Sequence, residues 1–98
     1  MKKNTMVDFG QWFNKRLKDK KFKIAYEQAD EDPFINVAIQ LIRLREENHL
    51  TQAQLARKVN TSQQAIARME SLRYHGFTVD SLDRVAKALH KRVSIQFV

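Results

Sequence analysis

No cysteine occurs among the 98 residues. That excludes a disulfide scaffold, a thiolate zinc site and a cysteine nucleophile at once, and it fits a reducing compartment. Two glycines and one proline are the only strong chain breakers, so helix should dominate. No apolar run approaches a membrane span, and Lys2-Lys3 leads into no signal-peptide core. A cytoplasmic protein without a membrane partner is expected. No Gly-rich phosphate loop is present. The three histidines, His49, His75 and His90, show no metal-ligand spacing. Glu46-Glu47 suits an exposed helix end better than a catalytic cleft. The chain therefore reads as a non-enzyme, with no catalytic residue, metal or cofactor.

Hydrophobic residues make up 43 % of the chain, enough for one core. Lysine and arginine number 18 against 11 acids, a net charge of +7. Such a balance favours polyanions through counterion release, although a solvated basic surface explains it too.

Residues 1–33 form an N-terminal arm. It holds the basic run Lys15-Arg16-Leu17-Lys18-Asp19-Lys20-Lys21-Phe22-Lys23 and the acidic patch Asp30-Glu31-Asp32. Phe9, Trp12, Phe13 and Leu17 share one helical face, which Asp8 could cap. Pro33 disfavours helix at Asp32 and suits a first helical turn. From Phe34 to about Asn48 the apolar spacing predicts a long helix. Thr51 with Gln54 forms a Thr-x-x-Gln capping box that opens a second helix. Asn60 can end it in the left-handed conformation. Ser62 can cap a third helix, Gln63 to about Leu72, and Thr78 or Asp80 a fourth. In residues 91–98, Val93, Ile95 and Phe97 alternate with polar neighbours and predict a strand. A lone strand leaves unpaired backbone groups, so it should pair with its twin in a homodimer or with the arm.

Two short helices joined by a tight turn suit the DNA major groove. The stretch from Leu44 to Leu89 resembles the XRE class of helix-turn-helix proteins, which includes the Cro and repressor proteins of lambdoid phages. Leu44-Arg45, Leu50-Thr51-Gln52, Leu55-Ala56, Thr61-Ser62-Gln63-Gln64, Ile66, Arg68, Glu70 and Leu82-x-x-Val85-Ala86-Lys87-Ala88-Leu89 carry the resemblance. It implies an all-α fold over residues 34–90, a lambda-repressor-like four- to five-helix bundle, here with the arm and the C-terminal strand added. It also implies binding of double-stranded operator DNA as a homodimer. Family members often carry glycine at the positions of His49, Asn60 and His90, and the loop Ser71 to Val79 is unusually long.

Residue roles follow from that resemblance. Gln63 and Gln64 open the helix that enters the groove, where glutamine can bond adenine bidentately; helix propensity alone is the alternative reason for them. Arg68 could read guanine or hold a phosphate, and Ala67 could meet a thymine methyl or simply leave room. Gln52 stands where family members contact a phosphate. Thr51 and Ser62 are caps that also lie on the phosphate side, and Arg57, Lys58 and Arg73 are either phosphate contacts or a solvated basic face. Arg45 and Glu70 resemble a structural ion pair that joins the first family helix to the end of the third.

The arm with Asp30-x-Asp32 leading into Val37-Ala38-x-x-Leu41-Ile42-x-Leu44-Arg45 resembles HigA-type antitoxins. That resemblance implies a HigB/RelE-like ribonuclease toxin as partner and repression of the chain's own operon; a stand-alone regulator is the alternative. Ile35, Ile39 and Ile42 form a second apolar line that either the arm, through Trp12 and Phe13, or a partner must cover. Trp12, Phe13, Ile39, Ile42, Val93, Ile95 and Phe97 are accordingly the expected partner or dimer contacts.

Overall fold

The computed structural model describes residues 14–28 and 31–98. Among them five helices follow in order: α1 (Lys20–Gln28), α2 (Pro33–Glu47), α3 (Gln52–Val59), α4 (Gln63–Met69) and α5 (Val79–Ala88). Residues 14–17 form a further helical turn ahead of α1. Trp12 and Phe13, with most of the first expected amphipathic face, lie outside the described residues.

Local side chains explain where the helices begin. The Asp32 carboxylate accepts from the backbone N–H of Phe34 at 2.9 Å and Ile35 at 3.4 Å, with Pro33 in the first turn of α2. Both halves of the capping box form on α3: Gln54 N–H donates to Thr51 Oγ1 at 3.0 Å, and Thr51 N–H donates to Gln54 Oε1 at 2.8 Å. Ser62 Oγ accepts from Ala65 N–H at 3.0 Å and opens α4. Thr78, not Asp80, caps α5, with Ser81 as its reciprocal partner. Each cap satisfies N–H groups that the first helical turn leaves without a carbonyl.

The stops are equally local. His49, Asn60 and His90 take φ of 57°, 63° and 60°. These are the positions where the resemblance predicts glycine. The left-handed backbone costs a histidine energy that glycine avoids.

α3 packs on α4 and α5. Leu55, Ala56, Ile66, Met69, Val85 and Leu89 are buried together there. Burying each larger side chain in this group contributes roughly 1.5–3 kcal/mol. The small Ala56 lets the helices approach closely. Tyr74 and Phe77, from the loop after α4, close the edge of this core, their rings 5.1 Å apart and edge to face. The loop is tight at Gly76, where a Cβ would stand 2.6–2.8 Å from the Tyr74 ring and hydroxyl. His75 stacks on Phe34 at 4.3 Å, which fastens the loop to the start of α2.

A second, smaller cluster joins Ala25 of α1 to Ile35, with Ile39 and Leu72 against it. Ile35 and Ile42 are buried within one chain, and Ile39 is half-buried. The described part of the arm contributes Phe22 and Ala25 as buried residues, with Ala25 packed at this second apolar line; the expected cover by Trp12 and Phe13 lies outside the described residues.

Two sequence expectations need correction. The third expected helix, now α4, stops at Met69 instead of continuing to Leu72. Glu70 is drawn into a tertiary ion pair, and Ser71 turns the chain by accepting from Arg73 N–H at 3.3 Å. The C-terminal strand is absent: residues 91–98 have no strand assignment, nor do any other described residues. Alternation alone makes no strand, because a ladder needs a second backbone. Val93 is half-buried, whereas Ile95 and Phe97 are exposed.

Candidate nucleic-acid interface

α4 is two-faced. Ile66 and Met69 point into the core. Gln63, Gln64, Ala67 and Arg68 are all exposed, and their i, i+1, i+4, i+5 spacing makes one continuous strip. The glutamines occupy the first turn, immediately after the Ser62 cap. Both glutamine side chains are exposed to solvent.

On α3 the expected phosphate-side residues fall into two groups. Thr51, Arg57 and Lys58 are exposed, and Thr51 Oγ1 is already engaged as the cap. Gln52 is half-buried and donates from Nε2 to Glu70 Oε1 at 3.1 Å. Ser62 is likewise exposed and engaged in capping. Arg73 is exposed in the loop beyond α4.

A polar network holds these helices in register. Arg45 donates from Nε to Glu70 Oε2 at 2.6 Å and from Nη2 to Glu70 Oε1 at 2.9 Å. Its Nη1 donates to the Leu50 carbonyl at 2.7 Å. One guanidinium therefore binds the end of α4 and the link between α2 and α3. The hydrogen bond that Arg45 donates to Glu70 raises the Arg45 pKa; burial works against this, and the charges of Glu70 and Glu46 add to it. Glu70 is only 8 % exposed, so the fork geometry must satisfy both of its oxygens.

Three features escaped the sequence reading. The Gln52–Glu70 bond spans eighteen positions and has no local pattern. Arg84 lines a shallow cleft with Arg68, Thr61 and Tyr74 and adds positive charge beside α4. Its spacing to Asp80, an ion pair at 3.3 Å, reads in sequence as an ordinary surface pair. Arg16 pairs with Glu46, and only the fold brings these two together.

Among the described residues no group of three or more His, Cys, Asp or Glu is gathered to hold a metal ion. No helix among them is long and apolar enough to cross a membrane. The arrangement offers hydrogen-bond donors, acceptors and positive charge on an exposed helix face. That chemistry suits recognition of a polyanion with readable edges.

No curated protein and no solved structure matches the chain. A helix-turn-helix family model matches residues 41–95, more than half of the chain, and spans α3, α4 and α5 with the end of α2. The chain belongs to the XRE-type helix-turn-helix family, a family of DNA-binding transcription regulators.

Proposed function

We propose that this chain is a sequence-specific repressor that binds operator DNA as a homodimer and reads bases through Gln63, Gln64, Ala67 and Arg68. One observation carries the reading: these four residues form the exposed strip of a capped helix whose far end is fixed by the Arg45–Glu70 pair. A helix held this way can present its first turn to the major groove without further ordering. Gln52, Arg57, Lys58 and Arg73, with the capped ends at Thr51 and Ser62, then set the register on the phosphates.

Two-fold operator symmetry calls for two copies. Val93, Ile95 and Phe97 are the proposed contacts, since the tail carries Ile95 and Phe97 at 59 % and 96 % exposure. Ile39, half-buried against the arm, and the buried Ile42 have less surface to offer a partner.

Selection of bound duplexes from a randomised pool tests the reading. An enriched site that loses affinity in a Gln63→Ala/Gln64→Ala variant supports it. A pool that enriches no sequence overturns it.

The biological setting we propose is a HigA-type antitoxin that binds a HigB/RelE-like toxin and represses its own operon. Two partly exposed apolar side chains of α1 support it, since Ile24 and Tyr26 are 50 % and 45 % exposed. Co-purification with the product of a neighbouring toxin-like reading frame checks this. Absence of any such reading frame leaves a stand-alone regulator.

A further inference from the structure

Lys15, Lys18, Lys20, Lys21 and Lys23 are all exposed. None of them has an ion-pair partner among the described residues. Lys20, Lys21 and Lys23 sit at the start of α1, with no acid in its first turn. The helix dipole disfavours positive charge at that end. Asp19 is the anion beside them in the chain, and its carboxylate is engaged in accepting from Lys21 N–H at 2.9 Å. Neither helix formation nor core packing calls for this concentration of cations, and self-repulsion works against it.

The fold also fixes where the arm that carries this charge lies. Arg16, in the turn ahead of α1, pairs with Glu46 near the end of α2. Glu46 lies 3.6 Å from Arg45. Arg45 binds Glu70 and the Leu50 carbonyl, and Glu70 holds Gln52 at the start of α3. A continuous polar chain thus fastens the arm to the corner from which α3 departs. Farther along α1, Ala25 is buried with Ile35 in the cluster that Leu72 packs against; Leu72 lies just beyond α4 and precedes the exposed Arg73 in the chain. The arm therefore runs along α2, from the corner where α3 begins toward the residues that follow α4, and carries its exposed lysines beside the helix-turn-helix.

We infer that the arm is a second DNA-contacting element: its lysines bind the phosphate backbone of duplex flanking the site that α4 reads. The inference rests on the proposed DNA-reading role and extends the footprint beyond it. The contacts carry no sequence information, because lysines meet phosphates as point charges. Arg16 and Glu46 act as positioning residues that hold the arm in place.

The test uses the full chain with all five lysines changed to glutamine, titrated by fluorescence anisotropy across a salt series. Three duplexes serve as probes: a selected site of minimal length, the same site extended by one helical turn at each end, and a random duplex of the longer length. Neutralising one phosphate-binding lysine takes about 0.9 off the slope of log K against log salt. The variant should therefore show a slope shallower by roughly 2 to 4 on both long duplexes. On the minimal duplex its slope should stay near wild type. Its thermal midpoint should be unchanged or raised, since the lysines repel one another in the free protein. Glu46→Gln should show a smaller slope change in the same direction. An unchanged slope on both long duplexes overturns the inference and leaves the lysines as solvated surface. So does an equal change on all three, which marks a bulk charge effect. The random duplex keeps the two readings apart: loss of sequence preference with the slope difference intact strikes the base-reading role alone.

Discussion

Arg45 and Glu70 meet through two parallel hydrogen bonds of 2.6 and 2.9 Å, with the two side chains only 11 % and 6 % exposed. The pair ties α2 to the residue that ends α4. A buried pair is costly to break from one side, because the survivor keeps its charge without compensation. Glu70→Leu should therefore destabilise the fold by about 3–5 kcal/mol, measured by urea unfolding. The double variant Arg45→Met/Glu70→Leu should cost much less than the sum of the two single changes. A strictly additive cycle would show that the two groups do not interact.

The left-handed residues give a prediction of opposite sign. His49 and His90 hold φ of 57° and 60°, a conformation that costs an L residue roughly 1–2 kcal/mol. Glycine relieves that strain but adds flexibility to the unfolded chain. His49→Gly and His90→Gly should each stabilise the protein by about 0.5–1 kcal/mol, and a gain of that size raises the thermal midpoint of a small domain by several degrees. Asn60→Gly, at φ 63°, should gain less, since asparagine tolerates this region. A lowered midpoint in the histidine variants would mean that the imidazoles contribute packing that outweighs the strain.

What was legible in the sequence is what local chemistry decides. Thr51 with Gln54, Ser62 and Asn60 fix both ends of α3 and the start of α4 within a few residues of themselves, and all of them behave as their types dictate. The glutamine strip follows from the same register. The end of α4 was not legible. Helix propensity runs on past Glu70, but Arg45 and Gln52 reach its carboxylate from twenty-five and eighteen positions away, and Ser71 then turns the chain. The arm's cover was half legible: the apolar line Ile35, Ile39 and Ile42 requires that something bury it, while Phe22 and Ala25 lie hidden in or beside a basic run. The tail misled because alternation reports which side chains share a face, not whether a second backbone is present to pair with.

Base reading by α4 separates from simple charge attraction in one comparison. Gln63→Ala/Gln64→Ala leaves net charge and the Ser62 cap intact, so affinity for random duplex should change little. Affinity for the selected site should fall by about 1–3 kcal/mol for each bidentate glutamine–adenine pairing that the change removes. Arg68→Ala should weaken both if Arg68 holds a phosphate, and mainly the selected site if it reads guanine. Competition titrations at one fixed salt concentration measure all of these. Equal losses on both duplexes for the double glutamine variant would remove base reading from Gln63 and Gln64.

The tail offers the cleanest separation of folding from assembly. Phe97 is 96 % exposed in a single chain, so Phe97→Ala should leave monomer stability within roughly 0.5 kcal/mol of wild type, as surface changes generally do. Val93, half-buried in the cleft it shares with Leu41, Leu44 and Leu82, should cost more when cut to alanine. Association changes the expectation for Phe97 alone. If two copies bury its ring, the wild-type midpoint rises with protein concentration by mass action, and Phe97→Ala flattens that dependence without altering the monomer's own unfolding. Sedimentation equilibrium on the same samples should show the dimer fraction falling in step. A wild-type midpoint that ignores concentration, with a single monomeric species in the centrifuge, would mean that this tail mediates no self-association and that any two-fold arrangement forms only on the DNA.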